Sequence, residues 1–147
     1  MSGRLFIPRV LETLKSSGIE VIYAREKHGD LGDAEEWKMN AFVSLVESMA
    51  GEIPPERMHL VSIGDSVFER NAAHFAGQAH STASIKTVKF IDPWEGPTIQ
   101  QLTNQLHLMT GALREACLQD ASIDLEMAMA GGLDEQPILT TCDLRRS

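Results

Sequence analysis

The stretch LVSIGDSVFERNAAH (residues 60–74) carries a buried-strand pattern into a helical one through Gly64 and Asp65. Its first four residues are almost continuously apolar, as expected of a strand covered on both faces. Ser66 and Glu69 then stand three apart in the pattern of a capping box, with Phe68, Ala72, Phe75 and Ala76 predicted to face inward on the helix they open. A strand that passes at once into a helix belongs to a parallel sheet with crossover connections, so the class predicted is α/β. In such sheets ligands bind beyond the carboxyl ends of the strands, which makes Asp65 the first candidate site residue.

Working outward, two further β-rich runs stand out, IEVIYA at 19–24 and IKTVKFI at 85–91, beside MHLVSI at 58–63. Between the first and second, Asp33 is placed to N-cap a helix, with Glu36 three residues on closing a capping box and Met39, Phe42, Leu45, Val46 and Met49 on a broad apolar side. Pro54 and Pro55 end it. A short helix is predicted over 7–15, stopped at Gly18. After the third run, Thr98 and Gln101 form another capping-box pair. The helix beyond repeats Ile99, Leu102, Leu106, Met109, Leu113 and Ala116 or Cys117 at three- and four-residue steps. This stripe over 98–118 either packs on the sheet or docks a partner. The expected organisation is a partial α/β domain over 1–127, with about three parallel strands, flanking helices and a long C-terminal helix, then a loose tail over 128–147 rich in turn formers.

With 147 residues, 43% hydrophobic and 23% charged, the chain has the composition of one globular domain. The formal charge of −8 and the lack of a basic stripe argue against nucleic acid as a partner. No apolar run approaches the roughly 20 residues that span a bilayer, and the N-terminal stretch lacks the layout of a signal peptide, so a cytoplasmic protein without a membrane partner is expected. Cys117 and Cys142 form no CxxC or Cys/His cluster. Three parallel strands alone would leave sheet edges unpaired, which points to a protein partner or homo-oligomer at an open edge.

Four residues join Asp65 as candidates. Glu69, one helical turn on, is near enough to share a cation with it, and paired hard oxygens suit Mg²⁺. Against this, the Ser66–Glu69 capping box and the helix dipole explain both acids without a metal. Lys38, in EEWKMNAF, falls on the apolar side of its helix near the N-terminus, where the dipole disfavours a cation. A phosphate or the Asp65 carboxylate would hold it there, or it snorkels into water. Arg25, just past the first β-rich run, and Ser66 complete the rim as anion candidates; an arginine there either clamps an anion or pairs with an acid.

Taken together, EWKMNAF followed by VSIGDSVFERNAAH resembles the lysine motif and the acidic GDxxxD-type motif of the haloacid-dehalogenase-like (HAD-like) superfamily. FIPRVLETL, VIYAREKHG, KTVKFIDPWEGPTIQQLTNQL and SIDLEM, in this order, extend the resemblance to uncharacterised eukaryotic HAD-like proteins up to about Met127. The resemblance implies a Rossmann-like αβα core and, in catalytic members, Mg²⁺-dependent phosphoryl transfer through an aspartyl-phosphate. It gives Lys38 the phosphate- and nucleophile-orienting role and Asp65 a metal ligand's role. Glu69 takes the second acidic position, with Glu for the usual Asp. Arg25 has no general role in the family. HAD catalysis also needs a DxDx(T/V/S) segment, and no Asp-x-Asp occurs in this sequence. The resemblance places that segment, and a Ser/Thr motif after it, ahead of residue 1. The function expected is therefore a non-catalytic HAD-derived module, a pseudoenzyme or truncated form acting through protein interaction. The alternative is a Mg²⁺-dependent phosphohydrolase or phosphotransferase completed by an N-terminal half or a partner chain. A receiver-type phosphoacceptor domain would need an acidic pair after its first strand, which the sequence does not supply.

Overall fold

The structure is a computed structural model describing residues 8–29, 32–91, 98–129 and 137–142. Helix α1 spans Pro8–Ser16, α2 Ala24–His28 and α3 Ala34–Ala50. A 3₁₀ turn at Pro55–Arg57 leads into β1 (His59–Gly64), α4 (Val67–Ala79), β2 (Ser84–Lys89) and α5 (Ile99–Cys117). Two strands close the described chain, β3 (Ile123–Met129) and β4 (Pro137–Thr141). The strands form one four-stranded sheet in the order β1-β2-β3-β4, with the first three parallel and β4 antiparallel to β3. The fold is mixed α/β with a mostly parallel sheet. No helix among the described residues is long and apolar enough to cross a membrane.

Local chemistry explains where the helices begin. Asp33 accepts hydrogen bonds from the Glu35 and Glu36 amides at the start of α3, but no return bond from Glu36 completes the capping box expected there, whereas the expected capping boxes at Ser66/Glu69 and Thr98/Gln101 are both formed. Each such cap satisfies backbone donors that the first helical turn leaves open, worth about 1 kcal/mol. Helix α1 ends ahead of Gly18, whose φ is +66°.

Helix α4 lies on one face of β1 and β2 through small residues. Ala72, Ala73 and Ala76 are fully buried, and a Cβ on Gly77 would stand 2.6 Å from Ile85 Cδ1. Val46 of α3 meets Ala76 and Met58 in one apolar cluster, with Phe42, Val43 and Leu60 packed around it. On the opposite face, Val88, Met109 and Met127 form a second cluster with Leu108, Leu113, Leu125 and Leu139. Burying each such large side chain contributes about 2 kcal/mol.

The structure corrects several sequence expectations. IEVIYA is not a strand: residues 19–23 carry no ladder bond, and Ile19, Val21, Ile22 and Tyr23 are 53%, 47%, 38% and 61% exposed. A β-rich run becomes a strand only when a neighbour takes its N–H and C=O groups, and the sheet here begins at β1. The third parallel strand is β3, and Pro137–Thr141, expected in a loose tail, extend the sheet as β4. The rest of that tail, 130–136 and 143–147, lies outside the described residues, as does Ile7 of the expected first helix. On α5 the expected stripe divides: Met109 and Ala116 are buried, while Ile99, Leu102 and Leu106 are exposed and Gln105 is buried instead. Phe75, expected inward on α4, is half exposed.

Candidate functional site

Lys38, Ser66 and Glu69 meet at the carboxyl end of β1. The Lys38 ammonium forms an ion pair with Glu69 Oε1 and donates to Ser66 Oγ at 3.3 Å. The other carboxylate oxygen, Oε2, accepts from the Ser66 amide at 3.2 Å and from the Ser66 hydroxyl. Sequence spacing placed Lys38 on the Phe42 and Leu45 side of α3, and all three line a cleft of about 320 Å³ with Glu69, Glu20 and Ile22. Lys38 also stands 5.7 Å from the centroid of the Phe68 ring. A second tie between the same helices, Asn71 Nδ2 to Glu35 Oε1 at 2.8 Å, lies nearby.

Burial of Glu69 pushes its carboxyl pKa up, but the hydrogen bonds from Lys38 and Ser66 and the Lys38 charge outweigh this and hold it below the ordinary carboxylate value. Gly64 is what lets Glu69 lie so close to the strand end: a Cβ there would stand 2.7 Å from Glu69 Cγ. Asp65 sits in the bend between β1 and α4 and is exposed. Arg25 is not brought to this cluster; it lies in α2, with its guanidinium 5.6 Å from the centroid of Trp37.

The set fits Mg²⁺ poorly as it stands. Both oxygens of Glu69 are engaged by Lys38 and Ser66, leaving Asp65 as the carboxylate of the pair still open to a cation. Among the described residues no group of three or more His, Cys, Asp or Glu is arranged to hold a metal ion.

A second polar cluster, which sequence reasoning missed, is buried between α4 and the sheet. Arg70 donates from Nε to Thr87 Oγ1 at 3.3 Å and from a terminal nitrogen to the Leu125 carbonyl at 3.0 Å, and faces Glu126 at 3.5 Å. Asp124 accepts from Thr87 Oγ1 and pairs with His74 Nε2 at 2.7 Å. Glu126 meets Lys89 at 3.4 Å and the Cys142 thiol at 3.2 Å. The signal was present in IDLEM, where acids alternate with apolar residues at the period of two that gives a strand one polar face. On this face the acids meet α4's arginine and histidine, which makes the cluster a brace between β3 and α4.

No family model, no curated protein and no solved structure matches the chain.

Proposed function

We propose that this chain is a non-catalytic interaction module, a HAD-like pseudoenzyme acting in the cytoplasm. The observation that carries this reading is the mutual engagement of Lys38, Ser66 and Glu69. The lysine and the acid that phosphoryl transfer would use are spent on each other, as a latch between α3 and α4. No Asp-x-Asp nucleophile segment stands in the sequence to use them. The apolar run at 19–23, exposed beside the cleft, supplies a surface whose chemistry is that of a protein contact.

A second reading, a Mg²⁺-dependent phosphohydrolase completed by further polypeptide, is favoured by one observation. The same three residues converge beyond the carboxyl end of a parallel strand, where such sheets hold ligands. Titration calorimetry with Mg²⁺, with and without beryllofluoride, separates the two. The interaction reading expects no uptake by the folded chain. Mg²⁺-dependent uptake that Asp65→Ala abolishes would establish the enzymatic one.

A further inference from the structure

Helix α2 is a basic island in an acidic chain. Its five residues hold Arg25, Lys27 and His28 against Glu26 alone, while the whole chain carries a formal charge of −8. The ion pairs among the described residues engage Lys38, Arg70, His74 and Lys89, and none reaches Arg25. Its exposed guanidinium lies over the Trp37 ring instead, 5.6 Å from the centroid. Stacking of this kind engages the face of the guanidinium and leaves its N–H groups free for an acceptor at the edge.

The same corner of the fold holds two buried nitrogens without partners. Among the described residues, the buried side-chain polar atoms that lack a hydrogen bond are Trp37 Nε1 and His28 Nε2. Buried polar groups are paired as a rule, and where no protein group pairs them a water or an ion does. The two are neighbours through Arg25. His28 stands one helical turn after it on α2, where residues three apart share a face, and Trp37 lies under its guanidinium, with α2 packed on α3. An indole nitrogen only donates, and an imidazole nitrogen donates in one of the two neutral tautomers.

We propose that Arg25, His28 and Trp37 form a binding site for a phosphate group, free or borne on a small molecule. The guanidinium takes two oxygens through its fork, and the Trp37 and His28 N–H groups take others. Oxygen count favours phosphate over carboxylate. The fork occupies both oxygens of a carboxylate, whereas a tetrahedral anion keeps further oxygens for the donors beside the guanidinium. A water would satisfy the two nitrogens but leave the guanidinium without an anion. The site is separate from the Lys38–Ser66–Glu69 cluster, whose lysine is already paired, and it does not rest on the interaction reading.

The test follows the Trp37 indole N–H of the isotopically labelled full chain by NMR, assigned with Trp37→Phe, as inorganic phosphate replaces chloride at constant ionic strength. The expected result is a saturable downfield shift with a dissociation constant of about 1 mM or below. Arg25→Ala should weaken binding at least about tenfold, and Arg25→Lys should restore little, because an ammonium lacks the fork. Arg25 is exposed, so the fold does not depend on it. His28→Phe removes a donor from the other side and should weaken binding independently, while Lys38→Met should leave the shift unchanged. Glycerol phosphate, run beside inorganic phosphate, tells an esterified group from the free anion, and tighter binding of either supports the site. No shift up to about 10 mM phosphate overturns the proposal and gives the two nitrogens to a water. An equal shift with acetate overturns it in favour of a carboxylate. A shift that Lys38→Met abolishes and Arg25→Ala spares also overturns it, placing the phosphate at the cleft beside β1.

Discussion

Lys38 of α3 and Glu69 of α4 close an ion pair across the carboxyl end of β1, so the two side chains that suggest phosphate chemistry in the sequence are structural partners of each other. The pair is partly shielded, with 31% of the Lys38 side chain and 19% of the Glu69 side chain exposed. A double-mutant cycle with Lys38→Met and Glu69→Gln is expected to give a coupling of about 1 kcal/mol in urea denaturation, above the usual value for a surface pair and below that of a fully buried one. Coupling near zero would mean that the latch does not hold the helices together.

Acid should open the same latch. Glu69 has its carboxyl held below the ordinary value in the folded chain, so the unfolded chain binds a proton first as pH falls. The stability this supplies is present above the unfolded value, about pH 4.3, and is lost as pH drops through the folded one. Glu126 is lowered as well, through the Cys142 thiol first and then, against its burial, through Lys89 and Arg70, and it contributes in the same direction. Urea midpoints should fall between about pH 5 and pH 3, and Glu69→Gln should flatten that slope in part, leaving the share of Glu126. An unchanged slope in the variant would place the acid sensitivity elsewhere.

Gly64 is expected to be intolerant of a side chain although its φ needs none of glycine's freedom. In Gly64→Ala the new Cβ meets the Glu69 stem, which must swing out of its contact with Lys38 and Ser66. A loss of about 1–2 kcal/mol is expected. Combined with Glu69→Ala, which removes the obstructing atoms, the glycine substitution should cost much less. Additive losses would show that the contact with Glu69 is not the reason.

What the sequence made legible was local. Capping boxes at Ser66 and Thr98 depend on residues three apart, and the wheel position of Lys38 depends on one helix; all three are as read. The Lys38–Glu69 contact was not legible: the sequence pointed to a phosphate or the Asp65 carboxylate as the partner of Lys38, and the structure gives Glu69. Strand membership is hidden too, since it depends on a neighbour that composition does not name. IEVIYA, the more strand-like run by propensity, is unpaired, while IDLEMAM, with two acids, sits between β2 and β4. Its acids are tolerated because Arg70 and His74 come to it from α4, a pairing across the fold that spacing cannot announce.

Removing Arg70 should therefore be the costliest change in the polar brace. Its guanidinium is buried and serves Thr87, the Leu125 carbonyl and Glu126 at once. Arg70→Met keeps much of the volume but leaves the Leu125 carbonyl without that donor and Glu126 with Lys89 as its remaining cation. The expected loss is about 2–4 kcal/mol, lowering the melting midpoint by roughly 5–12 °C. Arg70→Lys should recover little, because an ammonium cannot reach all three acceptors from one position. Full rescue by lysine would show that charge alone, and not the fork geometry, holds the brace.

Cys142 offers a reading of the same brace from the sheet's edge. Burial pushes its thiol pKa up, and the hydrogen bond to Glu126 and that carboxylate's charge push it further, against the opposing pull of Arg70. The thiolate is the reactive form, so Cys142 should be alkylated slowly at neutral pH. Glu126→Gln removes the negative charge and is expected to speed Cys142 alkylation severalfold, measured by mass spectrometry with exposed Cys117 in the same chain as internal reference. Arg70→Met, which takes away the cation, should slow it further if β4 stays paired. Acceleration in Arg70→Met would instead report that β4 has come away from β3, since release into solvent removes the burial that raises the thiol.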